Sequence, residues 1–164
     1  AAVEVEIDAL WIGRDLGYRG GRRTGLALTD DIHIQAHAAR WGVSTERPTQ
    51  GEVVAERTAA VIWGVLSKLD ARIFLWHVFP FHPHEPRDPF TNRSHNSRER
   101  SAGEEVLRQL IGLLKPRRLI AIGNDAASAA CRVTDVSYIV QVRHPSYGGQ
   151  VQFLRQIRSL YSMA

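Results

Sequence analysis

Short apolar segments alternate with segments of helical periodicity along this chain, and that alternation constrains the fold more than any other feature. The apolar segments, each predicted to be a strand, span residues 9–13, 72–79, 119–123 and 137–142. Strands separated by helices favour parallel pairing through right-handed crossovers. The sequence therefore predicts an α/β fold: a three-layer α/β/α sandwich with a central four-stranded parallel sheet, forming a single domain over residues 1–164.

Local signals predict where the helices between these strands begin and end. A Ser or Thr followed three residues later by Glu is a capping box, which marks a helix start. The predicted starts are Asp30 or Asp31 for a helix running to Arg40, the boxes at 49–52 and 101–104, and Asn124 or Asp125 for a short alanine-rich helix; the last helix is expected over 150–161.

The segment 80–100 is the longest stretch without a predicted helix or strand, and it contains four prolines. A loop of this length within a compact domain is usually functional or mobile. Its arginine, asparagine and histidine side chains suit contacts with phosphate oxygens, so we expect it to touch a phosphate backbone or probe a groove. The possible metal ligands in this loop are His82, His84, Glu85, Asp88 and His95. Their spacing fits no zinc signature, so no metal is predicted.

Composition sets the broad class of the protein. A chain of 164 residues that is 44% hydrophobic can bury a core without disulfides. Because no apolar stretch approaches the roughly 18 to 20 residues of a membrane span, we expect a soluble, intracellular protein, cytoplasmic and nucleoid-associated if bacterial. The single Cys131 excludes an internal disulfide and any site built on several cysteines, and we expect it to be a small buried core residue.

Positive charge is clustered rather than evenly spread. The net charge is +4 and the pI about 9.7. Arginines gather near residue 20, in the 80–100 loop and beside His144. Such clusters beside loops at strand ends favour a polyanionic partner.

Three polar side chains end or follow predicted strands. Asp15 lies just past the first strand, His77 lies in the second, and His144 follows the fourth. In open parallel sheets, ligands bind beyond the carboxyl ends of the strands. We therefore expect Asp15 and His144 to converge on one cleft.

The residues around these positions resemble the motifs of a known family. Gly13-Arg14-Asp15-Leu16-Gly17, continued by Thr24-Gly25-Leu26-Ala27-Leu28-Thr29, resembles the GQDPYH and GLAFS motif of uracil-DNA glycosylases, with the same spacing. His144-Pro145-Ser146 matches the start of that superfamily's HPSPLS motif. The segment 73–79 resembles the strand that carries the uracil-reading asparagine, with His77 in its place.

The resemblance implies base excision repair: hydrolysis of the N-glycosidic bond of a uracil flipped out of DNA, leaving an abasic site. It implies that Asp15 orients the attacking water and stabilises the cationic sugar, and that His144 stabilises the leaving base. A neutral imidazole can donate this hydrogen bond, so the role does not require a protonated His144. The implied base-binding residues are His77, Gly13, Arg14, Gly17 and Leu28. The expected DNA-binding residues are Arg22, Arg23, Arg93, Arg98, Arg143, Ser146 and Tyr147.

Three positions depart from the family pattern. His77 cannot present a donor and an acceptor side by side as an asparagine amide does, so we expect weaker or altered base selectivity. Gly17 stands where the best-known branch has a tyrosine that excludes thymine. Leu28 replaces the phenylalanine that stacks on uracil.

The expected partner is DNA containing uracil or a related deaminated base. We expect no membrane partner and no cofactor, and we expect the protein to be a monomer.

We expect a monofunctional enzyme, because the two lysines, Lys68 and Lys115, fall in or at the ends of helices away from the cleft and leave no amine for a Schiff base. Two alternatives remain open: a nucleic-acid-binding module that does not cut, and a hydrolase of small nucleosides or nucleotides.

Overall fold

A sheet of four parallel strands forms the centre of the computed structural model, which describes residues 4–163. The strands are β1 (Ala9–Asp15), β2 (Ile73–Phe79), β3 (Leu119–Ile122) and β4 (Ile139–Val142). Their spatial order is β2-β1-β3-β4, and each neighbouring pair is parallel. The predicted four-stranded parallel sheet is confirmed.

Helices lie on both faces of the sheet. They are α1 (Gly21–Thr24), α2 (Ile34–Arg40), α3 (Arg57–Leu66), α4 (Ser97–Leu114), α5 (Asn124–Val133) and α6 (Gln150–Leu160), with a 3₁₀ turn at Val136–Tyr138. Among the residues described, no helix is both long and apolar enough to cross a bilayer.

Alternation along β1 explains the three layers, because successive side chains of a strand point to opposite faces. Trp11 packs with α3 and α6, in a cluster that includes Ile62 and Phe153. Leu10 packs with α4 and α5, in a cluster that includes Leu107. All five side chains are fully buried or nearly so. The strand is therefore apolar on both faces, as a covered parallel sheet requires.

The capping box predicted at residues 49–52 is wrong. Helix α3 begins at Arg57, eight residues after Thr49, and its N-cap is Glu56. The Thr49 hydroxyl instead donates to the carboxylate of Asp31 at 3.1 Å. Asp31 is buried and also accepts from the backbone N–H of Val54, so satisfying this carboxylate outweighs the local helix signal.

The box predicted at residues 101–104 is also wrong. Helix α4 begins at Ser97, because the Asn96 side chain accepts from the backbone N–H groups of Arg98 and Glu99. In turn, the Glu99 carboxylate accepts from the backbone N–H of Asn96. The real capping box lies five residues earlier, and the central loop therefore ends at Asn96.

Three smaller expectations also change. Helix α2 begins at Ile34, since Asp30 accepts from the backbone N–H of His33 in a preceding turn. Strand β4 begins at Ile139, after the 3₁₀ turn. Cys131, expected in the core, is exposed, because the alanines of α5 occupy the face turned to the sheet.

Candidate active site

A cleft of about 460 Å³ opens at the carboxyl ends of the strands, where the topology predicts it. Asp15 and His144 both line it, as do all the proposed base-binding positions. Of the predicted DNA-binding residues, four also line it: Arg93, Arg143, Ser146 and Tyr147. A larger depression of about 690 Å³ lies at the amino ends of β1 and β2 and contains none of these residues.

The Asp15 carboxylate is held on both oxygens. The Nε of Arg14 donates to Oδ2 at 2.8 Å, and Nδ1 of His95 is hydrogen-bonded to Oδ1. Arg14 also reaches Asp125 at 3.2 Å. Burial alone would lower the pKa of Arg14, but the two carboxylates outweigh it and raise that pKa above its ordinary value. Asp15, only 5% exposed, therefore faces the cleft in a fixed orientation.

His144 presents a neutral imidazole. The backbone N–H of Ser146 donates to its Nδ1 at 3.1 Å, so Nδ1 acts as an acceptor and Nε2 carries the proton. Burial lowers the pKa of His144, and the positive charges of Arg14 and Arg143 lower it further. The side chain can therefore donate one hydrogen bond without being a cation.

The loop that carries His144 is anchored on both sides. Ser146 is hydrogen-bonded to Thr58 of α3 at 3.1 Å. Gly123, at φ +92°, follows β3, and a Cβ there would lie 3.3 Å from the Cβ of His144. Tyr147 then extends from the loop with its side chain 97% exposed and a positive φ of 52°.

His77 is buried beside Gly13, its register partner on β1. A Cβ at Gly13 would lie 2.5 Å from Cδ2 of His77, so only glycine allows the ring this close. Burial and then the neighbouring His144 lower the pKa of His77 to about 3, which makes the imidazole neutral. Its Nδ1 is buried without a hydrogen-bond partner, an unusual state for a polar atom in a folded protein.

Glu56 lines the same cleft and was not expected to do so. Its Oε1 lies 3.1 Å from where a Cβ of Gly17 would be, and its carboxyl also covers Gly20. Burial, followed by the charge of Asp30, raises the pKa of Glu56. No motif pointed to this residue, because it lies inside a segment predicted to be regular helix.

His95 is the second residue whose position the sequence did not predict. It was considered only as a possible metal ligand, with no metal predicted, and as one of the loop histidines suited to phosphate contacts, whereas the structure puts it against Asp15. The other loop histidines bond to backbone carbonyls: His82 to Leu16 and Pro89, and His84 to Glu85.

The predicted DNA-binding arginines differ in whether their guanidinium groups are paired with a carboxylate within the protein. Arg23 is ion-paired with the buried Asp31 at 2.7 Å. Arg93, at the cleft, makes two bonds to Glu99, of 2.7 and 2.6 Å. Arg22 is exposed and lies over the ring of Phe90, outside the cleft. Arg98 is exposed in the first turn of α4, also outside it.

Comparisons with known proteins identify the family of the chain and a structure of similar fold. The model of the uracil DNA glycosylase superfamily matches residues 7–159. The crystal structure of wild-type Pedobacter heparinus SMUG2 superposes with a TM-score of 0.67, covering 96% of this chain and 75% of that chain at 14% identity, which is a likeness of fold. No curated protein sequence matches the chain.

Proposed function

The chain belongs to the uracil-DNA glycosylase superfamily, and on that premise we propose that it releases uracil from DNA by hydrolysing the N-glycosidic bond. The observation that carries the proposal is that Asp15 and His144, from opposite ends of the chain, line one cleft. A DNA-repair function of the uracil-DNA glycosylase type fits the family; the uracil specificity and the roles of individual residues are the proposal.

The two side chains complement opposite ends of one transition state. As the C1′–N bond breaks, the bonding electrons leave with the base and positive charge develops on the sugar. The Asp15 carboxylate stabilises that charge and orients a water, whose oxygen bonds to C1′ while its proton passes to the carboxylate. His144 donates from Nε2 to the base oxygen that becomes negative.

Base recognition is expected to be weaker than with an asparagine at position 77. The base would enter among His77, Gly13 and Leu28, next to Arg14 and Gly17. A neutral imidazole offers one donor or acceptor to a given base edge, so one of two bonds is lost at a cost of roughly 1 to 3 kcal/mol.

DNA contact is assigned to the arginines around the cleft and to the loop after β4. Arg143 and Arg93 line the cleft, and Arg22 and Arg98 are exposed outside it. Ser146 lies beside Thr58 at the base of the loop, and the exposed ring of Tyr147 would fill the space left by the flipped base. Arg23 is proposed to act only indirectly, because its ion pair with Asp31 orders the first motif.

The test is release of free uracil from a duplex oligonucleotide with one uracil opposite guanine, together with alkali-labile abasic sites. We expect Asp15→Asn and His144→Asn each to lower the single-turnover rate by roughly 100-fold or more. Asp70→Asn, an exposed carboxylate at the amino ends of the strands, is the matched control and should behave like wild type. Unchanged release by Asp15→Asn would refute its role, and no release by wild type would refute the proposal.

The same assay separates the alternatives. A binding module would retain the duplex without releasing base, and a small-molecule hydrolase would act on free deoxyuridine with little dependence on salt. Duplex binding through phosphates should instead weaken steeply as salt rises.

Base selectivity is tested with His77→Asn. Restoring the bidentate amide should raise the rate on uracil by roughly tenfold or more relative to wild type, following from the cost of the missing bond. A panel of uracil, hypoxanthine and thymine opposite guanine measures the change, and no gain on uracil would contradict this account of the pocket.

A further inference from the structure

The central loop, residues 80–96, reaches the catalytic carboxylate through one side chain. His95, the residue before the Asn96 cap of α4, is hydrogen-bonded through Nδ1 to Oδ1 of Asp15. The two side chains are 9% and 5% exposed, so the contact is sheltered from water. His95 does not line the cleft itself.

Hydrogen-bond chemistry fixes the direction of this contact. An ionised carboxylate only accepts, so the proton of the pair lies on Nδ1 of His95. The Nε of Arg14 donates to Oδ2 at 2.8 Å, so each of the two oxygens accepts a hydrogen bond. Two donors on two different oxygens prevent the carboxylate from rotating about its Cβ–Cγ bond.

The position of His95 is itself fixed by the loop around it. The Asn96 side chain and Glu99 form the reciprocal cap of α4, and Arg93 binds both oxygens of Glu99. The ring of His95 lies 6.3 Å from that of Phe79 at the end of β2. A rigid support of this kind is what a catalytic group needs, because a misplacement of about 1 Å can cost 100-fold in rate.

We propose that His95 is the positioning residue of the proposed glycosylase, donating from Nδ1 to hold the Asp15 carboxylate in the orientation that receives the attacking water. The inference rests on the proposed function. It predicts that His95 acts on the rate of bond cleavage through Asp15, and has little effect on DNA affinity.

The experiment compares His95→Asn with His95→Leu under single-turnover conditions on the uracil duplex. An asparagine amide can donate from nearly the place of Nδ1, so His95→Asn should stay within roughly threefold of wild type. His95→Leu should fall by roughly tenfold or more with unchanged duplex Kd. His84→Leu changes another histidine of the same loop, one whose Nδ1 is hydrogen-bonded to the backbone carbonyl of Glu85, and should behave like wild type.

A double-mutant cycle shows whether the effect passes through Asp15. In the Asp15→Asn background, His95→Leu should cause no further loss, because the two residues act as a unit. An equal additional loss there, or a wild-type rate in His95→Leu, overturns the inference. If His95→Leu does not fold, His95→Gln, whose amide nitrogen lies one bond further out, takes its place.

A measurement independent of activity tests the contact itself, and the release assay separates failure of this inference from failure of the proposed function. The Nδ1–H signal of His95 should be visible by NMR in wild type and lost in Asp15→Ala. If wild type releases no uracil, the proposed function fails and so does the positioning role, even where this signal is present. If wild type releases uracil while His95→Leu is unaffected, only the positioning role fails.

Discussion

At the scale of single residues, the cleft is shaped as much by missing side chains as by those present. Gly13 leaves room for the ring of His77, and Gly17 leaves room for the carboxyl of Glu56. The motif around Asp15 assigned these glycines to the site, but it did not indicate which side chains fill the space beside them. A residue brought by a distant segment has no signature in the local pattern, which is why Glu56 and the contact of His95 were missed.

The position of Glu56 leads to a prediction about thymine. Its carboxyl stands where a side chain at position 17 would project, the position whose tyrosine excludes thymine in related enzymes. We expect Glu56→Ala to raise release of thymine opposite guanine by roughly tenfold, the discrimination that a contact with one methyl group supplies. The measurement is the ratio of thymine to uracil rates, with Glu52→Ala, an exposed neighbour, as control. An unchanged ratio would show that Glu56 does not limit the pocket.

At the scale of elements, the packing of α4 on β2 places the central loop over the cleft. Gly103 is buried where the helix crosses the strand, and a Cβ there would lie 2.0 Å from the carbonyl oxygen of Val78. Gly112, nine residues further along the same helix, has nothing within 4 Å of a Cβ. From the sequence both are glycines in a helical segment, and only the packing distinguishes them.

The two glycines give opposite predictions for the same substitution. Gly112→Ala should increase the free energy of unfolding by about 0.5 to 1 kcal/mol, because alanine favours the helix. Gly103→Ala should decrease it by roughly 1 to 3 kcal/mol, because the helix must move off the strand. Urea unfolding measures both, and equal effects of one sign would contradict the helix–strand contact described here.

At the scale of the whole molecule, two histidines that are neutral in the folded protein couple stability to pH: the buried His77 and the half-buried His37. The pKa of His77 is about 3 in the folded protein against an ordinary 6.5, and burial also lowers the pKa of His37, to about 4. Because the folded pKa values are the lower ones, the unfolded chain binds more protons below pH 6.5. The contribution of these two histidines to stability is therefore fully present above that pH and is lost as pH falls towards the folded pKa values.

His77→Asn isolates the larger of these contributions. Between pH 7 and pH 5, the free energy of unfolding of wild type should fall by about 2 kcal/mol more than that of His77→Asn, at about 1.4 kcal/mol per pH unit below the unfolded pKa. Urea unfolding at a series of pH values measures the difference. Parallel curves for the two proteins would mean that His77 is not buried as a neutral imidazole.

The sequence by itself determined the layered architecture, the parallel sheet and the edge that carries Asp15, His77 and His144, because the period of apolar residues and the turn signals are local properties. Only the tertiary structure decided where α3 begins, since the buried Asp31 binds Thr49 and overrides the local helix signal there. It also selected one of two local caps for α4, the one at Asn96 rather than the one at Ser101. It also decided which distant side chains complete the cleft. Glu56 lines it, and His95 supports Asp15 without lining the cleft; both are brought there by packing between segments far apart in the chain, and such contacts leave no pattern in the local sequence.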